Sequence, residues 1–210
     1  MVTVIGMGPG SREYVTPAAK QSIQESDIVI GARRVLDIAV LPGVIGISGK
    51  EVYEVTGNID TTLSLIRKNC EKHVAVLVSG DPGFYSLLQT IRTRMPDIEV
   101  SAVPGISSMQ LLFGLIGESW YDVKFISVHG RPIDVLDVAA QGHKKICILT
   151  DTSLTGEIVA RYLLSLGIAG RAVAGMHLSY PNQQVIDTTV QELASMNGLE
   201  SCVLYIEVEG

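Results

Sequence analysis

The chain has 210 residues, of which 47% are hydrophobic and 18% charged, with a formal net charge of −6. This composition supplies a core and excludes a disordered chain, and the absence of any basic run argues against nucleic acid as a partner. The length permits one large domain or two small ones.

Apolar runs alternate with helical patterns along the chain. Strands are predicted at residues 3–5, 28–30, 44–47, 74–78, 100–103, 124–128, 146–149, 172–174, 184–189 and 202–208. Several are unbroken Val/Ile/Leu runs, the pattern of parallel strands covered on both faces. The first helix opens at Thr16-Pro17, an N-cap followed by proline at the first helical position. Further helices are predicted at 60–71, 84–94, 107–116, 133–141 and 154–166, the last closed by Gly167. The alternation breaks near 114–122. The chain then finishes on a strand, a short helix and a strand, an order that suits antiparallel pairing. The expectation is an α/β protein of two α/β domains, 1–116 and 117–210, with a mostly parallel sheet in the first and a mixed sheet in the second.

Cys70, Cys147 and Cys202 lie far apart, and the last two sit in apolar runs, as buried free thiols of a reducing compartment do. No CxxC or HxxxH pattern is present, so no dedicated zinc site is expected. No secretory signal is evident, and no uncharged apolar run reaches the roughly 18 residues of a membrane span. A cytoplasmic location follows as an expectation.

The opening stretch VIGMGPGS carries glycines at 6, 8 and 10 after a short apolar strand. A dinucleotide fingerprint would need its third glycine at position 11, which is Ser11, and a helix opening directly. Pro9 also removes one backbone N–H. The Arg33-Arg34 pair after the second strand leaves an NADP-dependent oxidoreductase as an alternative. A phosphate-binding P-loop lacks its Gly-Lys-Ser/Thr. What remains is a loop whose backbone approaches something bulky, which glycine permits.

Four later stretches share that character. SGDPGFYS (79–86) follows a solid apolar strand, where Gly80 allows close approach and Asp81 can accept hydrogen bonds or cap a helix. VPGISS (103–108) opens a helix at Ser107, an N-cap residue. SVHGRP (127–132) offers His129 and Arg131, the arginine suited to an acidic ligand. GMHLSYP (175–181) follows another strand.

VIGMGPGS, SGDPGFYS and PGISS, in this order and spacing, resemble the hallmark loops of the tetrapyrrole methylase family. SVHGRP resembles the branch that methylates carbon 5 of cobalt-precorrin-7, giving cobalt-precorrin-8, in cobalamin biosynthesis. The resemblance spans nearly the whole chain and suits the stand-alone form rather than the fusion with a second methylase. It implies that S-adenosylmethionine binds, folded, in a cleft between the two domains, with S-adenosylhomocysteine as product. Carried over residue by residue, Pro9, Ser79, Gly80, Asp81, Phe84, Ser107 and Ser108 are expected to contact the cofactor. So are Thr150, Met176, His177 and Leu178, although relatives often carry Glu-Asn where this chain has Met176-His177. The resemblance further implies a homodimer and a C15-methylating decarboxylase as pathway partner. Within the family, another ring carbon is the alternative target.

Methyl transfer from a sulfonium to an electron-rich carbon needs orientation above all. No nucleophile–His–acid constellation stands out, and none is required. His129 is a candidate base for removing a proton after methylation. Gly8 and Gly10 are expected to lie against the flat macrocycle. Its acetate and propionate groups would meet basic side chains, with Arg33, Arg34 and Arg131 as candidates alongside His129. Cobalt belongs to the substrate, and no protein metal site is expected.

Overall fold

The computed structural model describes residues 1–44 and 47–209. The chain divides into two compact units, Met1–Ser108 and Met109–Gly210.

The first unit holds strands β1 (Val2–Gly6), β2 (Ile28–Gly31), β3 (Glu51–Glu54), β4 (Val74–Val78) and β5 (Val100–Val103). Helices α1 (Pro17–Gln24), α2 (Arg33–Ala39), α3 (Ile59–Lys68) and α4 (Leu87–Arg94) connect them. The sheet order is β3-β2-β4-β1-β5, and every pairing is parallel. β2 and β4 bury every residue. Successive side chains of a strand point to opposite faces. Ile5, Val29, Ala75 and Leu77 therefore pack with Ala19 and Ile23 of α1 and Val35 and Leu36 of α2. Val4, Ile28, Ile30, Val74 and Val76 pack on the other face with Leu63 and Ile66 of α3 and Ile91 of α4. Two covered faces explain the unbroken apolar runs.

The connections fix where the loops go. β1 leads through α1 toward β2 on one side, while its neighbour β4 leads through α4 to β5 on the other. The loops after β1 and β4 thus diverge at a topological switch, the place where open α/β sheets receive ligands.

The second unit contains α5 (Ser108–Ile116), β6 (Lys124–Ser127), α6 (Val135–Ala139), β7 (Lys145–Leu149), α7 (Gly156–Ser165), β8 (Gly170–Met176), β9 (Gln184–Thr189), α8 (Val190–Ser195) and β10 (Val203–Val208). Its sheet runs β6-β7-β10-β8-β9. β6 and β7 are parallel, β10 is antiparallel to both β7 and β8, and β9 is antiparallel to β8. β6, β7 and β8 consequently point the same way and end on one edge. One face packs Ile146, Ile148, Ala174 and Leu204 on Val159 and Leu163 of α7 and Leu193 of α8. On Tyr205 of β10 rests Phe113 of α5, edge to face with ring centroids 5.1 Å apart. That packing groups α5 with the second unit, whereas the sequence-based boundary of 116/117 follows this helix.

Thr16 caps α1 as expected, its Oγ1 accepting from the Ala19 N–H at 3.1 Å. Gly167 follows α7 with φ 76°. The strand expected at 44–47 falls partly on residues 45 and 46, which lie outside the described residues; Val44 itself is in a turn. The third strand is instead β3, EVYE, a charged edge strand of mostly exposed residues. The helix expected from residue 84 starts at Leu87, because Asp81–Ser86 is a loop with Tyr85 at φ 49°. Among the described residues, no helix is long and apolar enough to cross a membrane.

Candidate active site

At the carboxyl edge of the first sheet, three loops meet backbone to backbone. The Met7 N–H donates to the Val78 carbonyl at 2.9 Å, which carries β1 one residue past its named end. Gly8 and Gly80 then form an antiparallel bridge, with Gly80 N–H donating to the Gly8 carbonyl at 2.8 Å. Both have positive φ, 77° and 69°. The Gly105 segment closes on the same spot. A Cβ on Gly6 would lie 2.6 Å from both Gly105 N and Gly80 O. The glycines therefore serve first to let three chain segments touch, a contact that side chains would prevent.

Asp81 ties this contact together. Its Oδ1 accepts from the Gly83 N–H at 2.8 Å, and its Oδ2 accepts from the Gly105 N–H at 3.1 Å. Each oxygen keeps acceptor capacity. Asp81 does not cap α4; Ser86 stands at that N-cap position. Gly8, Pro9 and Gly10 are buried, as is Ser107 just ahead of α5, while Phe84 and Ser108 are half-buried. Phe84 stacks edge-on against Tyr85, with ring centroids 4.9 Å apart. Ser79 Oγ accepts a hydrogen bond from Arg34 Nη2.

In the second unit, Asp151 plays the part that Asp81 plays in the first. It directly follows Thr150 at the end of β7. Its Oδ1 accepts from the Ser153 and Leu154 N–H groups, both at 2.7 Å, and its Oδ2 accepts from Gly130 N–H at 2.9 Å. The loop after β6 is thereby fastened to the loop after β7. These N–H groups, Leu154 and Gly130 foremost, hold the carboxyl below its ordinary range, with nearby His129 adding to the effect. The sequence reading missed Asp151. Its signal was a D-x-S step after an apolar strand, an Asx turn in the making.

The expected residues of this unit divide by what their side chains do. Thr150 is buried, and its hydroxyl donates to the Cys202 carbonyl at 3.0 Å while accepting from the Cys202 N–H at 2.8 Å. The hydroxyl, and the Thr150 N–H that donates to the same carbonyl at 3.1 Å, are engaged in joining the end of β7 to the start of β10. Met176 and Leu178 are buried, and His177 between them is exposed with φ 49°. Met176 belongs to the core cluster. His129 and Arg131 are exposed on the loop fixed by Asp151, on either side of Gly130 at φ 65°. Arg33 is turned elsewhere: it pairs with Asp37 at 2.9 Å and Glu54 at 3.6 Å. Burial pushes the Cys147 thiol up, and does the same to Cys202, to about 11. Neither is a nucleophile near neutral pH.

Two sets of loops, each at the carboxyl edge of its sheet and each fastened by an aspartate, thus carry the expected residues. The family model described as Tetrapyrrole (Corrin/Porphyrin) Methylases matches residues 1–194. The chain belongs to this family. It is a methyltransferase, and the oxidoreductase alternative falls away with its incomplete glycine fingerprint. The methylase is 33% identical over 186 residues to the cobalt-precorrin-7 C(5)-methyltransferase of Salmonella typhimurium, covering 88% of this chain and 89% of that protein. It is 29% identical over 206 residues to the probable cobalt-precorrin-7 C(5)-methyltransferase of Methanocaldococcus jannaschii, covering 93% and 92%. Its fold matches the uroporphyrin-III C-methyltransferase of Thermus thermophilus, solved with S-adenosylhomocysteine, with a TM-score of 0.76 at 20% identity over 98% and 96% of the two chains.

Proposed function

We propose that this methylase transfers a methyl group from S-adenosylmethionine to carbon 5 of cobalt-precorrin-7, giving cobalt-precorrin-8, in cobalamin biosynthesis. The observation that carries the reading is the similarity, over about nine-tenths of both chains, to two relatives bearing that name. The loop geometry supports it, because the side chains at the carboxyl edges suit the cofactor's groups.

The donor set fits. Asp81, with lone pairs left over, would accept from a ribose hydroxyl or an ammonium. The first N–H groups of α5, beside Ser107 and Ser108, suit a carboxylate. Gly80 presents backbone where a side chain would intervene, and a Cβ there would lie 3.5 Å from Ser107 Cα. Pro9, Met176 and Leu178 are apolar and would exclude water, while Ser79, Phe84, Thr150 and His177 complete the set. When bound, S-adenosylmethionine supplies a methyl on a sulfonium and leaves as a neutral thioether, so no residue need protonate a leaving group. The protein's task is alignment, which supplies about 7–11 kcal/mol in well-oriented reactions. A Cβ on Gly8 would lie 2.9 Å from the Tyr14 carbonyl oxygen, so this glycine first lets the loop pack on itself, and on the proposed reading the backbone of Gly8 and Gly10 lies against the macrocycle. His129 and Arg131, on a loop held rigid by Asp151, face substrate chemistry: an imidazole to take a proton and a guanidinium to meet a carboxylate.

The reading includes a cytoplasmic homodimer whose pathway neighbour is a C15-methylating decarboxylase; light scattering of the purified protein checks the dimer. The deciding experiment incubates the enzyme with cobalt-precorrin-7 and carbon-13-labelled S-adenosylmethionine and locates the new methyl by NMR. A methyl on carbon 5 is expected. A methyl on another ring carbon overturns the substrate assignment. Absence of S-adenosylhomocysteine binding in calorimetry at high micromolar concentration overturns the cofactor assignment.

A further inference from the structure

The arginines of this chain are mostly neutralised in place. Arg12 pairs with Glu13, Arg33 with Asp37 and Glu54, Arg67 with Asp97, Arg94 with Asp60, and Arg171 with Glu118, Asp187 and Glu207. Arg34, like Arg92 and Arg161, has no carboxylate within ion-pair distance among the described residues; what sets it apart is its place, at the carboxyl edge of the first sheet beside Ser79. Its one recorded partner is the Ser79 hydroxyl, to which Nη2 donates.

Arg34 stands in the first turn of α2, which holds no acidic residue. A cation there opposes the helix dipole, an arrangement that is locally unfavourable. β2 and β4 are adjacent, with Gly31 in register with Leu77. Arg34 just past β2 and Ser79 just past β4 therefore meet at the carboxyl edge, beside the Gly8–Gly80 bridge. One N–H is spent on Ser79 and orients the fork, and the remaining donors stay unassigned. Arg34 is exposed, so its charge is hydrated in the free protein and its remaining donors are open to an anionic ligand at this edge.

We propose that Arg34 is a specificity-determining residue that receives a carboxylate of the tetrapyrrole substrate, with Ser79 holding the guanidinium in orientation. The proposal rests on the reading that the substrate is a tetrapyrrole bearing acetate and propionate groups. The bidentate match of guanidinium to carboxylate sets the expected chemistry. Arg33, one residue earlier, is already paired with Asp37 and Glu54.

The test measures binding of cobalt-precorrin-7, and separately of uroporphyrin III, by absorbance titration with S-adenosylhomocysteine present. Wild type is compared with Arg34→Met, Arg34→Lys and the exposed control Arg92→Met, and S-adenosylhomocysteine affinity is measured alone by calorimetry. Arg34→Met is expected to weaken tetrapyrrole binding by roughly 10- to 100-fold while S-adenosylhomocysteine affinity stays within about twofold. Arg34→Lys should fall between, keeping the charge without the fork. Unchanged tetrapyrrole affinity in Arg34→Met overturns the proposal, as does an equal loss in Arg92→Met or a parallel loss of both ligands. If wild type takes uroporphyrin III and not cobalt-precorrin-7, the substrate assignment falls and Arg34 is judged on uroporphyrin III. If it takes neither tetrapyrrole, both fall.

Discussion

Replacing Gly105 by alanine probes the contact on which the first set of loops is built. The new Cβ would be driven into the Gly80 carbonyl oxygen and would lie 2.8 Å from both the carbonyl carbon and the Cα of Gly6. All three obstacles are backbone, and none is free to yield. Gly6 ends β1 in register with Val78, Gly80 is bonded to Gly8, and Gly105 itself is held by Asp81 at 3.1 Å. Overpacking typically costs 1–3 kcal/mol, and a clash walled by backbone belongs near the top, about 3 kcal/mol. Gly105 has no positive φ, so alanine also removes unfolded-state entropy and returns about 0.4–1 kcal/mol. The net loss is about 2 kcal/mol, which for a chain of this length lowers the thermal midpoint by about 4–8 °C. Circular dichroism in a urea titration and in a thermal scan reads it. S-adenosylhomocysteine titration of the same variant should show weakened binding, because the loops around Asp81 must separate. An unchanged midpoint together with unchanged affinity would refute the view that backbone contact at these glycines sets the loop geometry.

Gly114→Ala is the opposite case: no atom comes within 4 Å of the added Cβ, and the site is helical, so a gain of about 0.5–1 kcal/mol is expected in the same urea titration. Thr150→Val removes the hydroxyl that serves Cys202 N–H and C=O at a buried position and should cost about 1–3 kcal/mol, read as a lower urea midpoint. Asp151→Asn keeps the shape but can no longer accept at both oxygens; faster hydrogen exchange in 128–132 or in 150–155 is expected, with weaker tetrapyrrole binding. The same variant should also change the acid limb. The folded-state carboxyl is depressed, so its contribution is present above the ordinary aspartate range and is lost as pH falls through the lower folded value. Wild type should therefore lose stability more steeply on acidification than Asp151→Asn; parallel curves would show that the N–H contacts carry no weight.

The central strands were legible because burial on both faces demands continuous apolar residues, and VAVLV in β4 has no other reading at its length. β3 escaped because an edge strand needs no such run, and EVYE reads as surface. α2 escaped because Arg33-Arg34 masks the apolar positions Val35, Leu36 and Ile38 that follow. The loops were found as a set through their glycines, yet the sequence could not say what the glycines meet. Their first neighbours are each other. Likewise, Arg33 and Arg34 are equivalent as letters. Only folding brings Arg34 to Ser79, 45 positions away, and turns Arg33 to Asp37 and Glu54.

Asp81 and Asp151 share a property with a consequence for how such an enzyme can be altered. Both hold their loops through backbone N–H groups, which every non-proline residue supplies. The Asp151 contact that holds the chain at 128–132 runs through the Gly130 N–H and uses neither side chain at 129 or 131. On the proposed reading, in which His129 and Arg131 meet the substrate, recognition and the hydrogen bonds that hold the loop are carried by different groups, so side chains at 129 and 131 can be exchanged while Asp151 still holds the loop. A retargeted variant would start from His129 and Arg131 and leave both aspartates untouched.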